Sequence, residues 1–279
     1  MVGYDFSYNG KCLRDFDFIM AGVDVDDNSG LSRELLKGNV NSFRKEANHY
    51  GAKYTDVIIL NFFITKDVCK NSDAEITYPE IRAIQSWITS TEVPYPLYVE
   101  FRDGNVIEYH GVFTDISPYV FNRLNGFKLT FTCNSPFAYK TKKIKVNVNG
   151  TSVSKRIVCD TDENDFIYPK IIITNVTNGI FKIYNKTEDK EMCFNLDEKY
   201  SKYIIDCKLK RILADNKILI LSDIIAGSDS VPNRNSVNDI YKMYWFRLLP
   251  KMNEIIFSGQ ADCLIECKLP IKLGGFVYV

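Results

Sequence analysis

Phe127-Lys128-Leu129-Thr130-Phe131-Thr132-Cys133 alternates apolar and polar side chains without a break. Successive residues of a strand point to opposite faces. Phe127, Leu129, Phe131 and Cys133 therefore share one face, and Lys128, Thr130 and Thr132 share the other. This is a strand with one side on a core. Asn125-Gly126 precedes it, and Asn-Gly is a hairpin signal because both residues tolerate positive φ. The same punctuation recurs on either side. Asn9-Gly10 follows Tyr4, Phe6 and Tyr8, and Asp103-Gly104 joins PLYVEFR to NVIEYHGVF. Asn149-Gly150 follows Ile144, Val146 and Val148, and Asn178-Gly179 marks a turn further on. The chain reads as a meander of antiparallel hairpins.

One stretch breaks the two-residue rhythm. In TYPEIRAIQSWITS (residues 77–90) Thr77 stands at capping-box spacing from Glu80, and Pro79 falls in the first turn. Ile81, Ile84 and Ile88 recur on one face beside Trp87, which predicts a single amphipathic helix over about 77–90, closed before Pro94. Upstream, KGNVNSFRKEANHYGAKY (37–54) is polar with scattered aromatics, an exposed loop or a long two-faced hairpin. YTDVIILNFFIT (54–65) follows at once and is nearly all apolar, as expected of a strand covered on both faces.

The 279 residues suggest two domains, with the boundary between Thr141 and Tyr168, where the acidic run DTDEND (160–165) would be solvated. Beyond it come short strand candidates: YPKIIITNVTNGIFKIYNK, KYIIDC, KILILS, MYWFRLL, NEIIFSG and CLIECKL. Their spacing predicts a β-sandwich, interrupted by a polar loop at 227–238. The fold class is mainly β.

Composition narrows the function. Lys plus Arg and Asp plus Glu are both 35, so there is no basic excess of the kind that binds nucleic acid. No apolar run approaches the ~20 residues that span a bilayer, so no membrane partner is expected. The eight cysteines lack the spacing of a zinc site, and the chain start lacks the pattern of a secretory signal. Reduced, mostly buried thiols are expected. His49 and His110 are the only histidines, and neither lies in a nucleophile motif. No phosphate-binding glycine loop is present. No metal, cofactor or catalytic residue is expected. Trp245, in MYWFRLL, is the candidate for stacking on a sugar, against a core role for the same ring.

Several of these stretches resemble the distal tail (Dit) proteins of bacteriophages and phage-derived particles. FSYNGKCLRDFDFIM (6–20) resembles their opening, with Asp17 where glycine is common. EIRAIQSWI resembles their single N-terminal helix. LTFTCNSPFAYK (129–140) is the most specific match, and Tyr168-Pro169 and LLPKMNEIIFSG resemble parts of the C-terminal domain. The resemblance implies an N-terminal β-sandwich or barrel-like ring domain over 1–140, a linker or hairpin over 141–167, and a galectin-like β-sandwich over 168–279. It implies a non-enzymatic homo-hexameric ring at the virion tail tip, assembled in the bacterial host cytoplasm. The tail tube protein would dock on one side and the hub on the other, with tape-measure and receptor-binding proteins as further partners. The arm from about Gly38 to Tyr54 would be a strap between subunits, with Phe43 and Tyr50 as anchors. A carbohydrate-binding module for host glycans is the alternative function; a hydrolase is the third.

Overall fold

A computed structural model describes residues 3–23, 33–41, 46–67, 75–101, 103–121, 124–219 and 244–273. It is mainly β, and the chain divides into two units, residues 1–140 with 271–279, and residues 141–270.

The first unit contains β1 (Gly3–Tyr8), β2 (Lys11–Cys12), β3 (Phe18–Val23), β4 (Arg33–Asn41), β5 (Glu46–Tyr54) and β6 (Ile59–Lys66). The helix α1 (Tyr78–Ile88), β7 (Tyr95–Phe101), β8 (Val106–Phe121), β9 (Leu124–Cys133) and the start of β10 (Ala138–Asn149) follow. Its main sheet runs β2-β1-β7-β8-β9-β6-β3, with every pairing antiparallel. The sheet curls on itself. Phe6 of β1 meets Phe62 of β6 at 5.5 Å between ring centres, although three strands separate them in the sheet. The turn of the corner is visible in β8. Its first residues pair with β7, and from Gly111 onward it pairs with β9. A Cβ at Gly111 would stand 2.1 Å from the Thr132 carbonyl oxygen, so only glycine allows the two strands to cross there.

The helix forms where the capping box predicts. The Thr77 amide and hydroxyl both donate to one Glu80 carboxylate oxygen, at 2.7 and 2.8 Å. Ile84, Trp87 and Ile88 are buried. Trp87 stacks on Phe16 at 4.7 Å, and its indole N–H donates to the Tyr8 carbonyl at 2.7 Å. β6 is buried on both faces, as its nearly continuous apolar run predicts.

One local expectation is revised. Asn125-Gly126 is not a turn but lies inside β9, opposite Val120 and Tyr119. A Cβ on Gly126 would reach the Ile64 carbonyl oxygen at 2.0 Å, so this glycine serves a close strand approach. Asp17 takes φ 57°, the left-handed conformation that explains why glycine suits that place and why aspartate tolerates it.

The second unit is a two-sheet sandwich. β10, β11 (Val153–Cys159), β12 (Lys170–Thr174), β13 (Gly179–Asn185), β14 (Lys190–Leu196), β15 (Lys202–Asp206), β16 (Arg211–Ala214), β17 (Lys217–Ile218), β18 (Lys251–Ser258) and β19 (Gln260–Ile271) make it up. One sheet is ordered β17-β16-β15-β12-β19-β10, the other β11-β18-β13-β14. Ile171 and Ile173 from the first meet Phe181, Ile183, Ile255 and Phe257 from the second in one core. Residues 141–167, expected as a linker or hairpin, supply β10 and β11, and Val146, Val148, Ile157 and Cys159 are buried in that core. The apolar alternation in that stretch outweighs its acidic end. MYWFRLL is no regular strand: in its described part, from Tyr244, only Leu248 bridges, to Ile167. The polar loop at 227–238 lies outside the described residues.

Candidate interaction surfaces

The arm is a two-faced hairpin. β4 and β5 pair only with each other among the described strands, antiparallel from Arg33 opposite Tyr54 to Asn41 opposite Glu46. Two register shifts interrupt the ladder, and Gly51 takes φ 106°. Leu35 and Leu36, adjacent in sequence and so on opposite faces, are 45% and 37% exposed. Neither face of the ladder is covered at this end. Tyr54 fixes its base, edge-on to Phe137 at 4.7 Å with the Arg33 guanidinium 5.3 Å from its ring centre. Glu34 and Lys53 pair at 3.1 Å, in water. An isolated two-stranded ladder is marginal on its own. Phe43 lies outside the described residues, as does the side chain of Tyr50, whose backbone belongs to β5.

A second surface escaped the reading of the sequence. On the outer face of the larger sheet of the second unit, Leu264, Ile172, Ile204, Leu213 and Ile218 stand opposite one another on five consecutive strands. The first four are half-buried and Ile218 is 75% exposed. One rim carries Lys143, Glu266, Lys170, Asp206 and Arg211, in which Lys143 meets Glu266 at 3.3 Å and Arg211 meets Asp206 at 3.9 Å. The band thus offers apolar area beside a rim in which four of the five charges are paired. The signal was present in KIIIT, KYIID and RILA, where both alternating sets of positions are aliphatic.

Trp245 does not form a sugar platform. It is 7% exposed and belongs to the core of the second unit. Its neighbours carry the polar work. Tyr244 Oη donates to Glu188 at 2.9 Å, and Arg247 donates from two nitrogens to the same carboxylate, each at 2.8 Å. Arg247 also lies 3.6 Å from the centre of the Phe166 ring. Glu188 is nearly buried, so this is a clasp that ties the 244–248 segment to the β13–β14 turn.

His110 Nε2 lies 2.7 Å from the buried carboxylate of Glu108, and His49 sits on the arm opposite Lys37. Burial pushes the thiols of Cys133, Cys263 and Cys267 up to about 12 and that of Cys159 to about 11, far from nucleophilic range. Cysteines in the described residues are free thiols, and no group of three His, Cys, Asp or Glu side chains there is placed to hold a metal. Among the described residues no helix is long and apolar enough to cross a membrane.

Comparison with known proteins gives these surfaces a setting. Two family models tile the chain: one described as a phage tail protein N-terminal domain matches residues 1–135, and its companion, a phage tail C-terminal domain, matches 137–267. The chain belongs to this family of phage tail proteins and is a structural tail component. Within that class its fold is the one seen in distal tail (Dit) proteins. The crystal structure of the Dit protein of phage SPP1, described as a paradigm of the hub adsorption apparatus in phages infecting Gram-positive bacteria, superposes with a TM-score of 0.58 at 13% identity, over 95% of this chain and 99% of that one. A chain of the phage P2 baseplate in its activated conformation with Ca gives 0.56 at 10% identity, over 96% and 98%. The same baseplate with Sr gives 0.55 at 10% identity, over 96% and 98%. No curated protein matches by sequence.

Proposed function

We propose that this protein is the ring-forming adaptor at the tip of a phage or phage-like tail, a homo-hexamer that joins the tail tube to the hub or receptor-binding apparatus. The observation that carries the reading is the likeness to the SPP1 Dit protein over nearly the full length of both chains. The unit holding residues 1–140 closes the ring, and the residue 141–270 unit is the galectin-like outer domain. A ring of identical copies uses heterologous contacts that close by rotation, which requires a surface on each subunit that its own chain leaves uncovered. The β4–β5 arm is such a surface, and it straps neighbouring subunits together with Phe43 and Tyr50 as anchors. The protein acts by binding, without catalysis; tape-measure and receptor-binding proteins complete its contacts, and assembly takes place in the host cytoplasm before the tail tip is finished. Electron microscopy of the purified chain, with light scattering for its mass, tests this. Six-fold rings are expected; a monomer at all concentrations up to the solubility limit overturns it.

A further inference from the structure

The outer face of the larger sheet in the second unit is laid out in rows, and its middle row is the aliphatic band. β10 extends that row by one residue. Lys143 meets Glu266 at 3.3 Å and the Asn147 side-chain amide donates to Asp262, so Lys145, between them, lies level with Leu264 and caps the band. On one side of the band runs the rim from Lys143 to Arg211. On the other run Asp262, Thr174 and Lys202. Every carboxylate of this face is engaged from within the unit. Glu266 is held by Lys143, Asp206 by Arg211, and Asp262 by the side-chain amides of Asn147 and Asn175. Lys145, Lys170 and Lys202 are exposed and, among the described residues, make no ion pair. They stand at one end and on both sides of the aliphatic row. Lys143, Lys145, Lys170, Lys202 and Arg211 thus outnumber Glu266, Asp206 and Asp262 around it.

We propose that this face docks an acidic amphipathic helix of another protein. Five strands at about 4.8 Å spacing make the row about 20 Å long. A helix of about 13 residues has that length. The polar rows lie about 7 Å to either side, so an apolar helix stripe covers the band while carboxylates flanking the stripe reach the three lysines. Charge decides among the occupants. Two copies of this chain laid face to face would bring both lysine excesses together. An anionic bilayer would meet the three carboxylates as well as the lysines, over a row only one side chain wide. A nucleic acid backbone would leave the aliphatic row uncovered. The band and its rims cover about 20 by 14 Å, well under the roughly 800 Å² that each partner gives to a stable interface, so a single segment fits where a folded domain would need more. The inference uses the second unit alone and stands with or without the ring.

Fluorescence anisotropy with the full chain tests it. The probe is a dye-labelled helical peptide of about 14 residues, with leucines along one stripe and glutamates beside them. Saturable binding is expected at a Kd of about 100 µM or tighter in low salt, weakening as salt rises. The same peptide with lysine for every glutamate should bind at least about tenfold more weakly. Lys170→Glu combined with Lys202→Glu should cost about tenfold, and Ile218→Asp about three- to tenfold, with unchanged melting because all three side chains are exposed. Lys155→Glu, on β11 in the other sheet, should leave binding as it is. Absence of saturable binding by the glutamate peptide overturns the proposal. So does equal affinity for the lysine peptide, or indifference to the lysine and Ile218 variants. Tighter binding to phosphatidylglycerol vesicles would make the face a membrane surface instead, and self-association abolished by these variants would make its occupant a second copy.

Discussion

β5 and β6 are neighbours in the chain with opposite fates. β6 lies between β3 and β9 with Leu60, Phe62 and Ile64 fully buried, while β5 pairs, among the described strands, only with β4 in a ladder that opens both its faces to solvent at one end. Four residues separate them. The contrast shows how one chain divides its apolar area between holding itself together and holding others. A strand buried on both faces is committed to its own core. A ladder bare on both faces has area to give to another chain, and under the ring proposal that chain is a neighbouring subunit.

Substitutions sharpen the contrast, starting in the core. Phe62→Ala removes a ring that touches Phe6 and Phe113 and leaves a cavity between the two halves of the curled sheet. It should cost about 3–5 kcal/mol of stability. Urea unfolding followed by tryptophan fluorescence reports it, because Trp87 stacks on Phe6 in the same cluster. A loss under 1 kcal/mol would mean that β6 is less committed than its burial says.

Next in size is the clasp of the second unit. Glu188→Ala strips Arg247 and Tyr244 of their shared acceptor and leaves a guanidinium packed on Phe166. Arg247 is about one-third exposed, so water softens the loss, and about 2–3 kcal/mol is expected. Calorimetry should show the melting of the 141–270 unit shift while that of the other unit holds.

The helix anchor is smaller and depends on pH. Hydrogen bonds from Lys66 and from the Thr77 amide hold the Glu80 carboxyl near pKa 2, well below its ordinary 4.5. A carboxylate depressed on folding adds stability that is full above about pH 4.5 and is lost as pH falls toward 2. Glu80→Gln should therefore cost about 1–2 kcal/mol at pH 7 and flatten the stability slope between pH 4.5 and 2. An unchanged acid slope in the variant would show that Lys66 and Thr77 do not set it.

Much of this was legible in the residues. The strand at 127–133, the capping box at Thr77 and Glu80, and the two-faced burial of β6 follow from alternation, spacing and apolar run length. What escaped depends on contacts far apart in sequence. Gly126 looked like a turn because Asn-Gly usually is one; only the approach of Ile64, some sixty residues earlier, reveals its purpose. Trp245 looked equally able to face a sugar or a core, because MYWFRLL leaves the regular strand pattern and its polar neighbours are pulled aside by Glu188.

The smallest effect on folding belongs to the arm, and it decides the comparison. Leu35→Asp combined with Leu36→Asp places two charges where both side chains already meet water. Folding stability should change by no more than about 0.5 kcal/mol. Assembly should change completely, because a carboxylate buried at a subunit joint must be desolvated without a partner. Six-fold rings seen for the parent chain should give way to folded monomers with parent-like circular dichroism and melting. Rings that survive would show that the strap lies elsewhere. A large fall in monomer stability would show that the arm folds back on its own subunit, and β5 would then join β6 among the strands the chain keeps for itself.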